Sequence, residues 1–247
     1  MIVNRDESRG RATSFAAVAD EYERSRPGYP DDAVRWLVGE EPRDVVDLGA
    51  GTGKLTRSLV ALGHRVIAVE PLPEMIAHLR AAVPGVSVVE GGAEAIPLES
   101  GSADVVTAAQ AFHWFDHGPA LREIARVLRL GGSVALVWNT RDDREEWVAQ
   151  LSDEALGRET VERSDVALPV EESGLFGEVE RASFPHVQRL DRERLVDLVL
   201  SRSYCAVLSP EERAPVLARV ERLFDEHAAD GVIELPYMTE CFRAARV

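Results

Sequence analysis

The stretch Asp47-Leu-Gly-Ala-Gly-Thr-Gly-Lys54 puts three glycines into eight positions directly after a β-branched run. Such residues let a backbone approach a ligand closely, and a helix starting just beyond them favours negative charge at its N-terminus. A Walker A loop needs glycine at position 48 and Ser or Thr after Gly-Lys; the chain has Leu48 and Leu55, so that reading fails. The dinucleotide fingerprint G-x-G-x-x-G needs a glycine at position 54, where Lys54 stands, so that reading weakens. A nucleoside ligand without a pyrophosphate remains open, as does a tight turn that holds nothing. Glu70 ends the next apolar run, 19 residues beyond Gly51. A carboxylate at such a strand end can accept both hydroxyls of a ribose. Gln110-Ala-Phe-His-Trp-Phe115 then brings one imidazole, His113, among three aromatic rings. An imidazole so placed is a candidate general base.

These residues need a scaffold, and the chain alternates as α/β folds do. Val45–Leu48, Val66–Val69, Val86–Val89, Asp104–Ala108 and Ser133–Trp138 are short apolar runs. Between them lie amphipathic stretches at Leu55–Leu62, Pro73–Ala82 and Pro119–Leu128, with Gly63 at a C-cap position and Gly131-Gly132 as a turn. This alternation predicts βαβ units and a parallel sheet buried on both faces. Ahead of it, Phe15–Arg24 reads as a helix, Arg26–Pro30 as a turn, and Asp31 as the N-cap of a helix carrying Val34, Leu37 and Val38. After Asn139 the pattern changes: residues 141–165 are charged and helical, and residues 178–190 alternate as a strand. Residues 191–226 read as two helices broken at Ser209-Pro210, with Ser209 capping the second, and residues 232–247 have strand character.

The composition is that of a globular protein. In 247 residues, 45% are hydrophobic and 29% charged, which excludes collagen-like, low-complexity and disordered chains. Lys plus Arg total 28 against 43 Asp plus Glu, a net charge of −15. A field of that sign repels phosphate backbones and anionic lipid, so neither nucleic acid nor membrane is an expected partner. Cys205 and Cys241 are far apart and lack C-x-x-C spacing, which gives neither a disulfide framework nor a metal cage. The polar residues 1–12 lack a signal-peptide core, and no apolar run approaches the roughly 20 residues that span a bilayer. A reduced, cytoplasmic protein is expected, as monomer or homodimer. An apolar stripe at Leu195, Leu198 and Val199 reads equally as core or interface.

The glycine turn resembles the first motif of the class I S-adenosylmethionine-dependent methyltransferases, acidic-x-G-x-G-x-G. The order of Glu70, Gly91-Gly-Ala-Glu-Ala-Ile-Pro-Leu98, Asp104 and Leu128-Arg-Leu-Gly-Gly132 strengthens the resemblance over about residues 40–140. The N-terminal Phe15, Tyr22, Arg26-Pro-x-Tyr-Pro30 pattern and Gln110–Phe115 are similar to a small-molecule branch that includes trans-aconitate methyltransferase-like proteins. The resemblance implies an α/β fold: a seven-stranded, mostly parallel, doubly wound Rossmann-like sheet with an antiparallel last strand and a helical lid inserted in the C-terminal half. It implies a single domain over 1–247, with a helical cover (1–40), a cofactor-binding half (41–140), and lid helices with a final β-hairpin (141–247). By the same resemblance Asp47 orients the methionine end of S-adenosylmethionine, and Gly49, Ala50, Gly51 and Gly53 pack against it. Glu70 and Pro71 take the ribose edge, and Met75 covers the adenine. Ala93 meets the purine through its backbone amide, Glu94 accepts from the exocyclic amine, and Gln110 completes the site. Tyr22 and Arg26 meet the methionine carboxylate, where an arginine binds bidentately.

A sulfonium methyl is already electrophilic, so its transfer asks for alignment and exclusion of water rather than a catalytic triad. A carboxylate acceptor needs no base, whereas a hydroxyl, phenol or amine gains from one. His113 is the candidate catalytic residue, against a reading in which it only packs beside Trp114. Trp114, Phe115 and Trp138 offer aromatic walls for the acceptor, and Arg202 and Tyr204 offer polar contacts. Gly118-Pro119 interrupts any helix that would pair His113 with His117, so no metal is expected. The expected function is methyl transfer from S-adenosylmethionine to a small-molecule acceptor, at a carboxylate or hydroxyl oxygen, releasing S-adenosylhomocysteine. The alternatives are a non-catalytic binder of the same cofactor and, further off, an NAD(P)-dependent oxidoreductase.

Overall fold

The computed structural model describes residues 25–156, 166–201, 205 and 208–247. Seven strands form one sheet: β1 (Asp44–Leu48), β2 (Arg65–Glu70), β3 (Ser87–Glu90), β4 (Ala103–Ala109), β5 (Leu128–Arg141), β6 (Glu180–Leu190) and β7 (Ile233–Ala245). Their order is β3-β2-β1-β4-β5-β7-β6. Strands β1 to β5 pair in parallel. β7 runs antiparallel to β5: Arg246 N donates to the Gly132 carbonyl at 2.7 Å and Asp142 N to the Pro236 carbonyl at 3.0 Å. The winding reverses between β1 and β4, and an open α/β sheet has its crevice at such a switch point, beyond the carboxyl ends of the strands.

Among the described residues the helices are α1 (Asp31–Val38), α2 (Lys54–Ala61), α3 (Pro73–Ala82), α4 (His117–Val127), α5 (Glu146–Leu151), α6 (Leu168–Glu172), α7 (Arg192–Leu200) and α8 (Pro210–His227). None of them is long and apolar enough to cross a membrane. The chain gathers into two compact units. Of the described residues, the first holds 25–27, 140–156, 185–201, 205 and 208–238, and the second holds 28–139, 166–184 and 239–247.

The second unit carries the glycine turn, and its strands are buried by a period of two. Val46, Leu48, Val106, Ala108, Val134 and Leu136 pack into one cluster with Leu121 and Ile124 of α4. The residues between them, Val45, Val105, Ala135 and Val137, pack into another with Val34 and Leu37 of α1 and Leu55 and Leu59 of α2. Successive side chains of a strand leave on opposite faces, so an uninterrupted apolar run fills both layers. The first unit packs Val148 and Leu151 of α5 with Leu195, Leu198 and Val199 of α7 and Val220, Leu223 and Phe224 of α8. The stripe at Leu195, Leu198 and Val199 is therefore core.

Two local expectations change. Asp31 is the first residue inside α1 rather than its cap; Pro30 takes that position with extended dihedrals, and Asp31 and Asp32 face the positive end of the helix dipole. Gly131 and Gly132 lie within β5 instead of ending a turn before it. A Cβ on Gly132 would stand 2.7 Å from the Asp104 carbonyl, where the β4–β5 register shifts, so the glycine permits a close approach of two backbones. Ser209 does cap α8: its hydroxyl accepts from Glu212 N, and Glu212 reaches back to Ser209 N.

Candidate cofactor and active site

The turn after β1 is shaped by left-handed glycines, with φ 68° at Gly49 and 56° at Gly51. Gly49 N and Ala50 N both donate to the Val69 carbonyl, at 2.8 and 3.2 Å, which ties the turn to the end of β2. A Cβ on Gly49 would lie 2.8 Å from Ala111 Cβ, so the loop after β4 sits directly against the turn. A Cβ on Gly51 would meet nothing within 4 Å. At Gly51 the backbone is open to a ligand.

Two buried carboxylates hold this turn. Glu70, 5% exposed, accepts from Gly51 N through Oε2 at 2.9 Å and from Leu72 N through Oε1 at 3.1 Å. One carboxylate thus fixes both the glycine turn and the start of α3. Burial raises its pKa, with the nearby Asp47 charge adding to the rise and the two N–H groups opposing it. Asp47, 1% exposed, accepts from the Thr56 hydroxyl at 2.6 Å and from the Thr107 hydroxyl at 3.0 Å. Loss of hydration pushes its carboxyl up to about 6 against the pull of those hydroxyls. Asp47 therefore joins β1 to α2 and β4 beneath the turn. Thr56 and Thr107 escaped the sequence reading, although a lone threonine in the apolar run Asp104–Ala108 is the kind of signal that marks a buried polar partner.

Pro71, Met75, Ala93, Glu94 and Gln110 lie in the same unit as this turn. Met75 and Ala93 are buried, and Pro71 is exposed next to Glu70. Glu94 is exposed, and its Oε1 accepts from Asp116 N at 2.9 Å, so part of its carboxylate is spent on the entry to α4. Gln110 follows β4 with φ 53°, a left-handed conformation rare for a side chain of its size. Its N–H donates to the Val137 carbonyl at 2.9 Å and its Nε2 reaches the Asn139 carbonyl at 3.5 Å. Asn139 is itself a buried junction missed in the sequence: Nδ2 donates to the Gly28 carbonyl at 2.8 Å, and Oδ1 accepts from Thr239 at 2.6 Å. Arg26 lies in the first unit, where its Nε donates to Ser201 Oγ at 3.3 Å. Tyr22, Arg202 and Tyr204 lie outside the described residues.

Beyond Gln110 the chain makes a single 3₁₀ turn over Phe112–Trp114. Phe112 is buried, with the His117 ring stacked on it at 4.6 Å and the His117 Nε2 3.2 Å from its carbonyl. His113 and Trp114 face outward, their ring centroids 4.7 Å apart. Lost hydration among its neighbours nevertheless lowers the His113 pKa to about 4, with His117 adding like-charge repulsion. The imidazole is thus neutral at physiological pH. Phe115 rests over Gly49, its ring 3.4 Å from where a Cβ would stand. Trp138 is not an open wall: it is 6% exposed and packs edge-on against Phe242, because its place in β5 aims it into the cluster beneath α4.

The switch point thus carries an open glycine backbone and a carboxylate whose two oxygens each hold one N–H. The sheet order and this turn are those of a Rossmann-like α/β fold. Residues 46–136 match the family described as a methyltransferase domain. An uncharacterized methyltransferase of Mycobacterium tuberculosis is 45% identical over 240 residues, covering 96% of this chain and 97% of that one. A solved structure from Anaeromyxobacter dehalogenans, provisionally described as a type II methyltransferase, superposes with TM-score 0.67 at 26% identity, covering 90% of this chain and 97% of that one. A malonyl-[acyl-carrier protein] O-methyltransferase of Methylococcus capsulatus is 38% identical over 104 residues, 40% of this chain and 38% of that one. The chain belongs to the class I S-adenosylmethionine-dependent methyltransferases.

Proposed function

We propose that the protein methylates a carboxylate oxygen of a small-molecule acceptor. S-adenosylmethionine supplies the electrophilic methyl when bound. The open backbone at Gly51 and the Glu70 carboxylate serve the ribose edge, and Asp47 fixes the turn that presents them. The observation that carries the choice of acceptor is His113: it stands exposed on the 3₁₀ turn, and among the described contacts no carboxylate bonds its ring to raise its basicity. A neutral His113 instead gives or takes one hydrogen bond and orients the acceptor beside Trp114. A carboxylate already carries its negative charge at pH 7 and needs no proton removed. The partial relative named for O-methylation of a malonyl carrier supports an oxygen acceptor.

Titration calorimetry with S-adenosylmethionine, S-adenosylhomocysteine and NAD comes first, with binding of the first two and not of NAD expected. A panel of small carboxylic acids, phenols and amines is then assayed for release of S-adenosylhomocysteine. Methyl esters yield methanol on mild alkali, which identifies the methylated atom. Turnover confined to amines or phenols would overturn the proposal, and cofactor binding without turnover on any class would favour a non-catalytic role.

A further inference from the structure

Residues 91–98, between β3 and β4, form a turn closed on itself. Gly92 and Ala95 pair across it, and a Cβ on Gly91 would stand 2.6 Å from Pro97 Cδ. A turn without regular structure must find partners for its backbone groups elsewhere. Helix α4 supplies them. Ile96 N donates to Glu123 Oε2 at 2.8 Å. The Arg126 guanidinium donates through Nη2 to the Ile96 carbonyl and through Nη1 to the Leu98 carbonyl, both at 2.8 Å. It also forks onto Glu123, with Nε to Oε1 at 2.7 Å and Nη2 to Oε2 at 2.8 Å. At the other end of the helix, Asp116 N donates to Glu94 Oε1. One helix grips the turn from both sides.

Such charge-assisted, forked bonds carry geometry as well as energy. Arg126 holds the Glu123 carboxyl below the usual carboxylate range, so the pair stays charged across working pH. Both side chains are partly exposed, so simple Coulomb attraction between them is screened. What the pair contributes is the fixed position of the Ile96 and Leu98 backbone. Ala93 and Ile96 are anchored below in the same cluster as Leu121 and Ile124 of α4.

From this geometry we infer that Glu123 and Arg126 are positioning residues for purine selectivity, holding the turn so that its backbone distinguishes adenine from other bases. The inference rests on reading residues 91–98 as the adenine loop. The test titrates S-adenosylhomocysteine and its hypoxanthine counterpart, S-inosylhomocysteine, into the wild-type chain and into R126M, E123Q and R181M. R181M removes another ion pair of the same unit, with Glu171. In R126M the Kd for S-adenosylhomocysteine should rise about tenfold, the loss of roughly one charge-assisted hydrogen bond. The preference over the hypoxanthine ligand should collapse, and the Ile96 amide should exchange faster with solvent. E123Q should shift the same way by less, and R181M should match wild type in all three. If the wild-type chain binds both ligands equally, the adenine-loop reading is wrong. If wild type discriminates and folded R126M and E123Q discriminate equally well, with Ile96 exchange unchanged, the clamp plays no part. Should R126M fail to fold, E123Q decides alone.

Discussion

Asp47 is ionisable, fully buried and bonded to the Thr56 and Thr107 hydroxyls and the Thr56 backbone N–H, with no cation among these partners, and its carboxyl stands at about 6 rather than 3.8. Its folded pKa is raised, so its contribution to stability is fully present below about 3.8 and is lost as pH rises through about 6. A rise of about two units corresponds to roughly 3 kcal/mol in all. By the linkage relation, about 1.4 kcal/mol of that falls between pH 5 and pH 8. Asp47→Asn removes the titration and keeps the shape: the amide oxygen can accept from one threonine hydroxyl while the NH₂ donates to the other. The variant is therefore expected to gain stability relative to wild type as pH rises from 5 to 8, and the gain should flatten above about pH 7. Urea unfolding of both proteins at half-unit pH steps measures the difference. Without the Asp47 charge the Glu70 carboxyl is raised less in the variant, which adds to the variant's gain in the same direction. Parallel stability curves across the range would show that Asp47 does not titrate there, and the account of the buried network would be wrong.

Three further outcomes are expected. Glu70→Ala leaves Gly51 N and Leu72 N without their carboxylate and should weaken S-adenosylhomocysteine binding by about 1–3 kcal/mol in calorimetry; unchanged affinity in a folded variant would remove Glu70 from the cofactor site. Gly49→Ala forces a side chain into a left-handed residue and to 2.8 Å from Ala111 Cβ. It should cost about 1–2 kcal/mol for the backbone alone, which lowers Tm by roughly 2–8 °C, and a Tm within a degree of wild type refutes the close approach. His113→Gln should lower kcat with little change in cofactor affinity. The wild-type pH–rate profile should show no His113 inflection between pH 5 and 8, because the ring is already neutral above about 4; a loss of rate on acidification through about 6.5 that disappears in the variant would restore the general-base role.

The sequence by itself determined the sheet and the glycine turn that follows its first strand. Apolar runs of four to six residues alternating with amphipathic stretches admit few arrangements other than βαβ winding, and glycines between Asp47 and Lys54 mark where a backbone must bend and lie open. Glu70 was legible for the same reason: a carboxylate at the end of an apolar run has a strand end to stand on. What each carboxylate bonds to was decided only by tertiary structure. Thr56 and Thr107 lie 9 and 60 residues from Asp47, and no local pattern announces which hydroxyls will meet a buried acid. Trp138 read as a pocket wall from the sequence, whereas the register of β5 with β4 and β7 chooses the face it takes and sends it into the core. Gly131 and Gly132 read as a turn because glycine permits both a turn and a close crossing of strands, and only the approach of the Asp104 carbonyl tells them apart. The Glu123–Arg126 grip is an i, i+3 pair on paper and a fastening for residues 96–98 in space. Local propensity follows from neighbours in the chain, whereas hydration, pKa and backbone satisfaction depend on neighbours that only the packed fold brings together.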